Sequence, residues 1–228
     1  MHEQNTPQHV GIILDGNRRW AKRHGLSANE GHKKGFDTFR TIADASLERG
    51  ITYLSVFAFS TENWNRAKEE VSLLMGFIKI ALKKYINELH KKNVRFIWLG
   101  SENGLDKRLI EQLRRAEESS KENTAGTFCL CFNYGGQQEI AEAAQKLANA
   151  GLPITTGSLA GELCGGAAVP AVDLMIRTSG EKRLSNFMLW RSAYSELYFT
   201  DILWPDFTPK DLDDALADFA ARKRRYGA

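Results

Sequence analysis

An aspartate, a glycine and two arginines stand together early in the chain, in the stretch His-Val-Gly-Ile-Ile-Leu-Asp-Gly-Asn-Arg-Arg-Trp from His9 to Trp20. That combination suits a diphosphate and its metal ion. The Asp15 carboxylate can hold Mg²⁺, backbone N–H groups from Gly16 to Arg19 can point at phosphate oxygens, and Arg18 or Arg19 can supply forked, charge-assisted bonds. Taken alone, Asp15-Gly16-Asn17 is also an ordinary turn. Three further polar stretches carry related chemistry: Ser60-Thr61-Glu62-Asn63-Trp64-Asn65-Arg66, Asn133-Tyr134-Gly135-Gly136, and Arg177-Thr178-Ser179-Gly180-Glu181-Lys182-Arg183-Leu184-Ser185-Asn186. Arg66, Arg177 and Arg183 each lie near serine, threonine or glycine, the composition of a site that grips phosphate by geometry as well as by charge. Two arginine-bearing stretches beside an aspartate loop suggest two diphosphate groups, or one long polyanion.

These stretches follow segments that read as strands. Val10 to Leu14 is continuously apolar, as in a strand buried on both faces of a parallel sheet. Phe36, Phe39, Ile42, Ala43 and Leu47 then recur at helical spacing before Gly50, and Thr52 to Phe59 reads as a strand, which completes a βαβ unit. The alternation continues with a helix through Val71 to Leu89, a strand Val94 to Leu99, a helix through Leu109 to Ala116 and a strand Thr127 to Asn133. A helix from about Gln137 to Asn149 precedes Gly151 to Pro170, which suggests loop plus one short helix. Val172 to Ile176 and Glu196 to Phe199 read as strands, and Thr208-Pro209-Lys210-Asp211 as the capped start of a last helix ending near Tyr226-Gly227. The expected fold is α/β, a six-stranded, mostly parallel central sheet flanked by helices, with ligands at the carboxyl ends of the strands.

The 228 residues contain no linker-like stretch, so a single domain over 1–228 is expected. A net charge of +3 is too small to argue for nucleic acid. With no secretory leader pattern at the start and no apolar run of membrane-spanning length, a cytoplasmic location is expected. Cys129, Cys131 and Cys164 lack metal-ligand spacing and read as small core residues.

Read together, His9-Val10-x-Ile12-Ile13-x-Asp15-Gly16-Asn17-x-Arg19-Trp20-Ala21, Gly31-His32-x-x-Gly35, Phe59-Ser60-Thr61-Glu62-Asn63-Trp64-x-Arg66, Asn133-Tyr134-Gly135-Gly136, Asp173-Leu174-x-Ile176-Arg177-Thr178-Ser179-Gly180-Glu181-x-Arg183-x-Ser185 and Tyr194-x-Glu196-Leu197-x-Phe199 resemble the signatures of the cis-prenyltransferases, in the family's order. The resemblance implies a Mg²⁺-dependent homodimer that condenses isopentenyl diphosphate with an allylic diphosphate such as farnesyl diphosphate. It implies a medium- or long-chain Z-polyprenyl diphosphate as product, undecaprenyl diphosphate in the bacterial representatives, where it is a lipid carrier of envelope synthesis. Transient contact with a membrane surface follows from such a product.

By the same resemblance Asp15 is catalytic and binds the metal, Glu196 is a second metal ligand, and Gly16, Asn17, Arg18, Arg19, Trp20 and His32 hold the allylic substrate. Arg177, Arg183, Leu184 and Ser185 match the clamp on isopentenyl diphosphate. Ser60, Thr61, Glu62 and Arg66 match further substrate contacts, and Trp64 a loop over the pocket. Asn63 matches a residue that assists proton removal; a carboxamide is too weak a base to act alone, so it would position the isopentenyl group while a diphosphate oxygen takes the proton. Arg225-Tyr226-Gly227 resembles a motif that reaches the site at the dimer interface.

Three positions depart from the family pattern. Arg18 stands where glycine is more typical, Ala67 replaces a proline, and Ala28 replaces an arginine that would contact the allylic diphosphate. Arg18 and Ala28 together also fit short-chain members that stop at Z-farnesyl diphosphate, whereas the small Ala58 resembles the longer-chain enzymes. A non-catalytic partner subunit is the remaining alternative, and the presence of Asp15, Asn63, Arg177, Arg183 and Glu196 argues against it. Asp213, Asp214 and Asp218 lie on the last helix and read as a solvated face.

Overall fold

The computed structural model describes residues 6–222, in which six strands alternate with helices. The strands are β1 (His9–Ile13), β2 (Tyr53–Ser60), β3 (Val94–Leu99), β4 (Gly126–Tyr134), β5 (Leu174–Arg177) and β6 (Glu196–Phe199). The helices are α1 (Asn17–Arg23), α2 (Ala28–Glu48), α3 (Lys68–Lys91), α4 (Lys107–Ser120), α5 (Gly136–Asn149), α6 (Thr156–Glu162) and α7 (Pro209–Ala221). The strands form one six-stranded sheet in the order β3-β4-β2-β1-β5-β6, and β1–β5, β3–β4 and β5–β6 pair in parallel. The expected α/β class with helices flanking a parallel sheet is what the chain forms.

The chain groups into two compact units. The first holds β1, α1, α2, the first half of β2, residues 171–184 and everything described from Tyr194 on. Its core is built by β1 and β5, every residue of which is buried, with Ile42 of α2, Trp204, and Leu212, Ala215 and Phe219 of α7. The second holds Phe57–Pro170 and Ser185–Ala193. There α3 and α4 pack on β3, burying Phe96, Leu99, Leu109 and Leu113, while Cys129 and Cys131 of β4 are fully buried and act as core residues.

Most boundaries agree with the sequence pattern to within a few residues. Thr208 caps α7 with its side chain on the Asp211 amide and Asp211 reaching back, as the Thr-Pro-Lys-Asp spacing predicts. Two elements differ. Helix α1 has no apolar period to announce it; it starts because Gly16 takes a left-handed φ of 112° directly after β1 and turns the chain into a helix. Helix α7 ends at Ala221, short of Tyr226-Gly227, because Arg222 turns extended and is drawn to Glu196 and Asp218. Arg225, Tyr226 and Gly227 lie outside the described residues.

Candidate functional site

The register places Ile13 of β1 opposite Arg177 of β5, so their carboxyl ends lie side by side. Asp15 and Arg177, 162 residues apart in sequence, therefore meet: the Arg177 Nη2 donates to Asp15 Oδ2 at 3.0 Å. Arg19, one helical turn after Asp15, approaches the other carboxylate oxygen at 3.3 Å and donates to Ser179 through both guanidinium ends. Thr178 fixes the backbone of this corner. Its hydroxyl receives the Asp15 N–H at 3.0 Å and bonds the Asp15 carbonyl at 2.7 Å, and that carbonyl also receives the Trp204 N–H. The Ser179 and Gly180 amides donate to the Ile202 and Thr200 carbonyls, which holds the loop after β5 in place.

The two arginines differ in setting. The Arg177 side chain is 4% exposed and Arg19 is 44% exposed, with the Asp15 side chain between them at 31%. Burial alone would raise the Asp15 carboxyl, but hydrogen bonds from Arg177 and Ser179 and the charges of Arg177 and Arg19 outweigh it and hold the group below the ordinary aspartate value. The corner thus presents an ionised carboxylate next to two guanidinium groups. Arg183 is mostly exposed, pairs with Glu181 at 2.6 Å, and its carbonyl accepts from Arg177 Nη1. Leu184 follows it, half-buried.

Two glycines position α1. Gly31 and Gly35 are one turn apart on the same face of α2, and a Cβ on either would run into Asn17. Their bareness lets α2 lie directly on the helix that begins after Asp15, and a Cβ on Gly16 would meet Leu203. His32 sits between them, half-buried on the second turn of α2, and Arg18 is exposed on α1. Trp20 stacks on His24 and donates to Asp206 at 2.6 Å. Ala28 is the first residue of α2, whose N-terminus is closed by Ser27 and Glu30.

The second unit gathers the other predicted residues. After β2, the turn Thr61–Asn65 folds Asn63 back so that its Oδ1 accepts the Ser60 N–H. Trp64 sits edge-on to Phe59 and donates to Asn133 Oδ1 at 2.7 Å. Glu62 accepts from Asn186 at 2.7 Å; burial pushes its carboxyl up, yet that bond and its other hydrogen bonds leave it below the ordinary value. Thr61 lies against bare Gly135, and Arg66 pairs with Glu70 along α3. Ser185 is exposed, with a positive φ of 50°.

A metal carried by a diphosphate fits Asp15. Mg²⁺ is commonly held by one or two carboxylates, with substrate phosphates and water completing the shell. Among the described residues no cluster of three His, Cys, Asp or Glu forms an all-protein cage. Glu196 lies apart from the Asp15 carboxylate within one chain. It pairs in register with Leu174, and Leu174 with Val10, so it stands level with the amino ends of β1 and β5, whereas Asp15 follows the carboxyl end of β1. There Glu196 bonds Arg222 at 2.8 Å. The aspartates of α7 serve ion pairs: Asp213 with Arg49, Asp214 with Lys210, Asp218 with Arg222.

Residue types did not single out Thr178, Ser179, Glu139 or Arg191. The first two lie inside a quoted motif, and a hydroxyl after a buried strand was the available signal. Glu139 and Arg191 form an ion pair at 2.8 Å, 2% and 4% exposed, and nothing local marks two charges 52 residues apart as partners.

The chain belongs to the cis-prenyltransferase, or isoprenyl transferase, family: the model of the undecaprenyl diphosphate synthase family matches residues 13–227. An isoprenyl transferase of Neisseria meningitidis serogroup B is 47% identical over 222 residues, covering 97% of this chain and 89% of that protein. A trans,polycis-polyprenyl diphosphate synthase ((2Z,6E)-farnesyl diphosphate specific) of Thermobifida fusca is 47% identical, covering 97% and 80%. Among solved structures, lavandulyl diphosphate synthase from Lavandula x intermedia in complex with dimethylallyl diphosphate superposes with a TM-score of 0.93 at 37% identity, covering 98% of this chain and 99% of that one.

Proposed function

We propose that this chain is a Mg²⁺-dependent enzyme that joins isopentenyl diphosphate to an allylic diphosphate such as farnesyl diphosphate and repeats the step to a medium- or long-chain Z-polyprenyl diphosphate, undecaprenyl diphosphate being the proposed product. The observation that carries the reading is the Asp15 corner, where an ionised carboxylate lies between Arg177 and Arg19 at the carboxyl ends of two parallel strands. In each step a carbon–carbon bond forms to the allylic carbon, the allylic diphosphate leaves, and a proton is lost from the isopentenyl unit. Asp15 would hold the metal, which when bound neutralises charge on the departing diphosphate. Arg19, with Gly16, Asn17, Arg18, Trp20 and His32, is assigned the allylic side, and Arg177, Arg183, Leu184 and Ser185 the isopentenyl side. Ser60, Thr61, Glu62, Trp64 and Arg66 are assigned further substrate contacts. Asn63 is a positioning residue, since its amide oxygen already receives the Ser60 N–H. Glu196 is proposed as a ligand only of an ion other than the one at Asp15 of the same chain. A single functional domain, a homodimer, a cytoplasmic location and a role in envelope lipid supply belong to this proposal.

Arg18 and Ala28 favour the second reading, a short-chain product. A relative of nearly equal length was crystallised in complex with dimethylallyl diphosphate, a small allylic diphosphate, which supports testing that primer as well. The deciding experiment incubates the protein with labelled isopentenyl diphosphate and either primer, with Mg²⁺ or with chelator, and sizes the products. Long products that vanish on chelation are expected. A stop after one or two additions would give the case to the short-chain reading, and no product under any condition would overturn both. In the same assay Arg183→Ala should raise the isopentenyl diphosphate KM about tenfold or more, and Arg19→Ala should act on the allylic KM, since a charge-assisted bond contributes about 1.5–3 kcal/mol.

A further inference from the structure

The second unit buries one complete ion pair that the site does not use. The Arg191 guanidinium gives Nη1 to Glu139 at 2.8 Å, Nε to the Val169 carbonyl at 3.1 Å and Nη2 to the Cys164 carbonyl at 2.8 Å. Glu139, on the first turn of α5, also receives the Cys164 N–H at 3.1 Å and the Tyr134 hydroxyl at 2.5 Å. Burial and the Glu139 charge push the Tyr134 phenol well up, so it stays protonated and donates. One pair of charges therefore ties together the end of β4, the start of α5, residues 164–169 and the segment Ser185–Ala193.

That last segment needs tying. Ser185, Asn186 and Met188 all have positive φ, 50°, 66° and 47°, in a run without glycine, and such backbone is kept only where its surroundings over-determine it. Phe187 and Met188 of this run are fully buried. At the front of the run Asn186 is held by three bonds: its carbonyl takes the Gly136 N–H, its Oδ1 the Gln137 N–H, and its Nδ2 donates to Glu62. At the back Trp190 packs on the apolar cluster of Ala143, Leu147, Leu159 and Leu163, and Arg191 enters the ion pair. Packing alone would be served by an apolar side chain at 191. A guanidinium that bonds three segments at once specifies one arrangement of them.

We propose that Arg191 and Glu139 are a positioning pair for isopentenyl diphosphate binding, holding the strained Ser185–Met188 run in the conformation that presents Ser185 to the diphosphate. The inference rests on the assignment of Ser185 made under Proposed function. Neither residue touches substrate; both act through the segment they fasten.

The full chain is compared with Arg191→Lys, which keeps the charge beside Glu139 but cannot reach Val169 and Cys164 as well, and with Glu139→Gln. Steady-state constants for both substrates, calorimetric Kd for isopentenyl diphosphate and amide hydrogen exchange are measured at a temperature where all three proteins are folded. In both variants the isopentenyl diphosphate KM and Kd should rise about tenfold, the allylic KM should stay within twofold, and amides of Ser185–Met188 should exchange at least tenfold faster while β3 and β4 are unchanged. Equal effects on both substrates, or a lower Tm with neither KM nor local exchange altered, would overturn the proposal. If the unmodified protein neither turns over nor binds isopentenyl diphosphate, the functional reading fails; faster exchange confined to Ser185–Met188 would then still support the fastening, and unchanged exchange would sink that too.

Discussion

Each unit contains a carboxylate bonded to a guanidinium, and the two pairs sit in opposite settings. Asp15 meets Arg177 and Arg19 with its side chain 31% exposed, whereas Glu139 meets Arg191 with both at 4% or less. Arg177 is as buried as Arg191, but the exposed Asp15–Arg19 contact can change partners, because water replaces a lost contact at little cost and a charged ligand can take it over. A sealed pair cannot, because removing one partner strands the other away from water. The same chemical contact is thus a place for exchange in one unit and a fastening in the other.

The largest effect expected from breaking this contrast is on turnover. Asp15→Asn keeps a hydrogen-bond acceptor for buried Arg177 and removes the charge, so kcat/KM should fall on the order of 10²–10³-fold or more, with a melting temperature within a few degrees of the parent. Near-normal turnover in the folded variant would remove Asp15 from the chemistry. Next comes stability. Arg191→Met leaves Glu139 buried and uncompensated, which costs about 3–5 kcal/mol, or roughly 6–20 °C in a chain of this size. Arg19→Met, at a side chain 44% exposed, should cost no more than about 1 kcal/mol. Comparable losses from the two methionines, read by thermal melts, would erase the distinction.

A smaller effect sharpens it through pH. The Asp15 carboxyl lies lower in the folded protein than in the unfolded chain, so its contribution to stability is present above the unfolded value of about 3.9 and is lost as pH falls through the folded value. Denaturant melts of the parent and Asp15→Asn should differ by a constant amount from pH 5 to 8, and the gap should shrink below about pH 4. A gap that changes between pH 6 and 8 would point to a different group.

The strands were legible because each is a short, almost wholly apolar run, and the site stretches because they follow those runs in a parallel sheet. Helix α1 was not, since Asn-Arg-Arg-Trp-Ala-Lys-Arg has no apolar stripe and owes its form to Gly16 and to the bare face of α2. The Asp15–Arg177 pair was foreseeable as neighbouring strand ends, though not as a direct bond; its register depends on β5 lying beside β1, which no local pattern states. Glu196 shows the converse. Its motif matches a metal ligand, and its place at the opposite ends of the strands from Asp15 follows from strand register, which no local pattern states. The Glu139–Arg191 pair was invisible because each residue, read alone, is an ordinary surface charge.

The bare face of α2 also governs how this protein can be engineered. Replacing a helical glycine with alanine is a routine way to raise thermal stability, gaining up to about 1 kcal/mol from helix propensity. At Gly76 of α3, where an added methyl meets nothing, that rule should hold. At Gly31 the methyl would collide with the Asn17 backbone, so the same change should wedge α1 away from α2, costing about 1–3 kcal/mol and turnover with it. A stabilising library that treats all helical glycines alike would enrich the first substitution and discard the second, and sequencing its survivors would map the contact without a crystal.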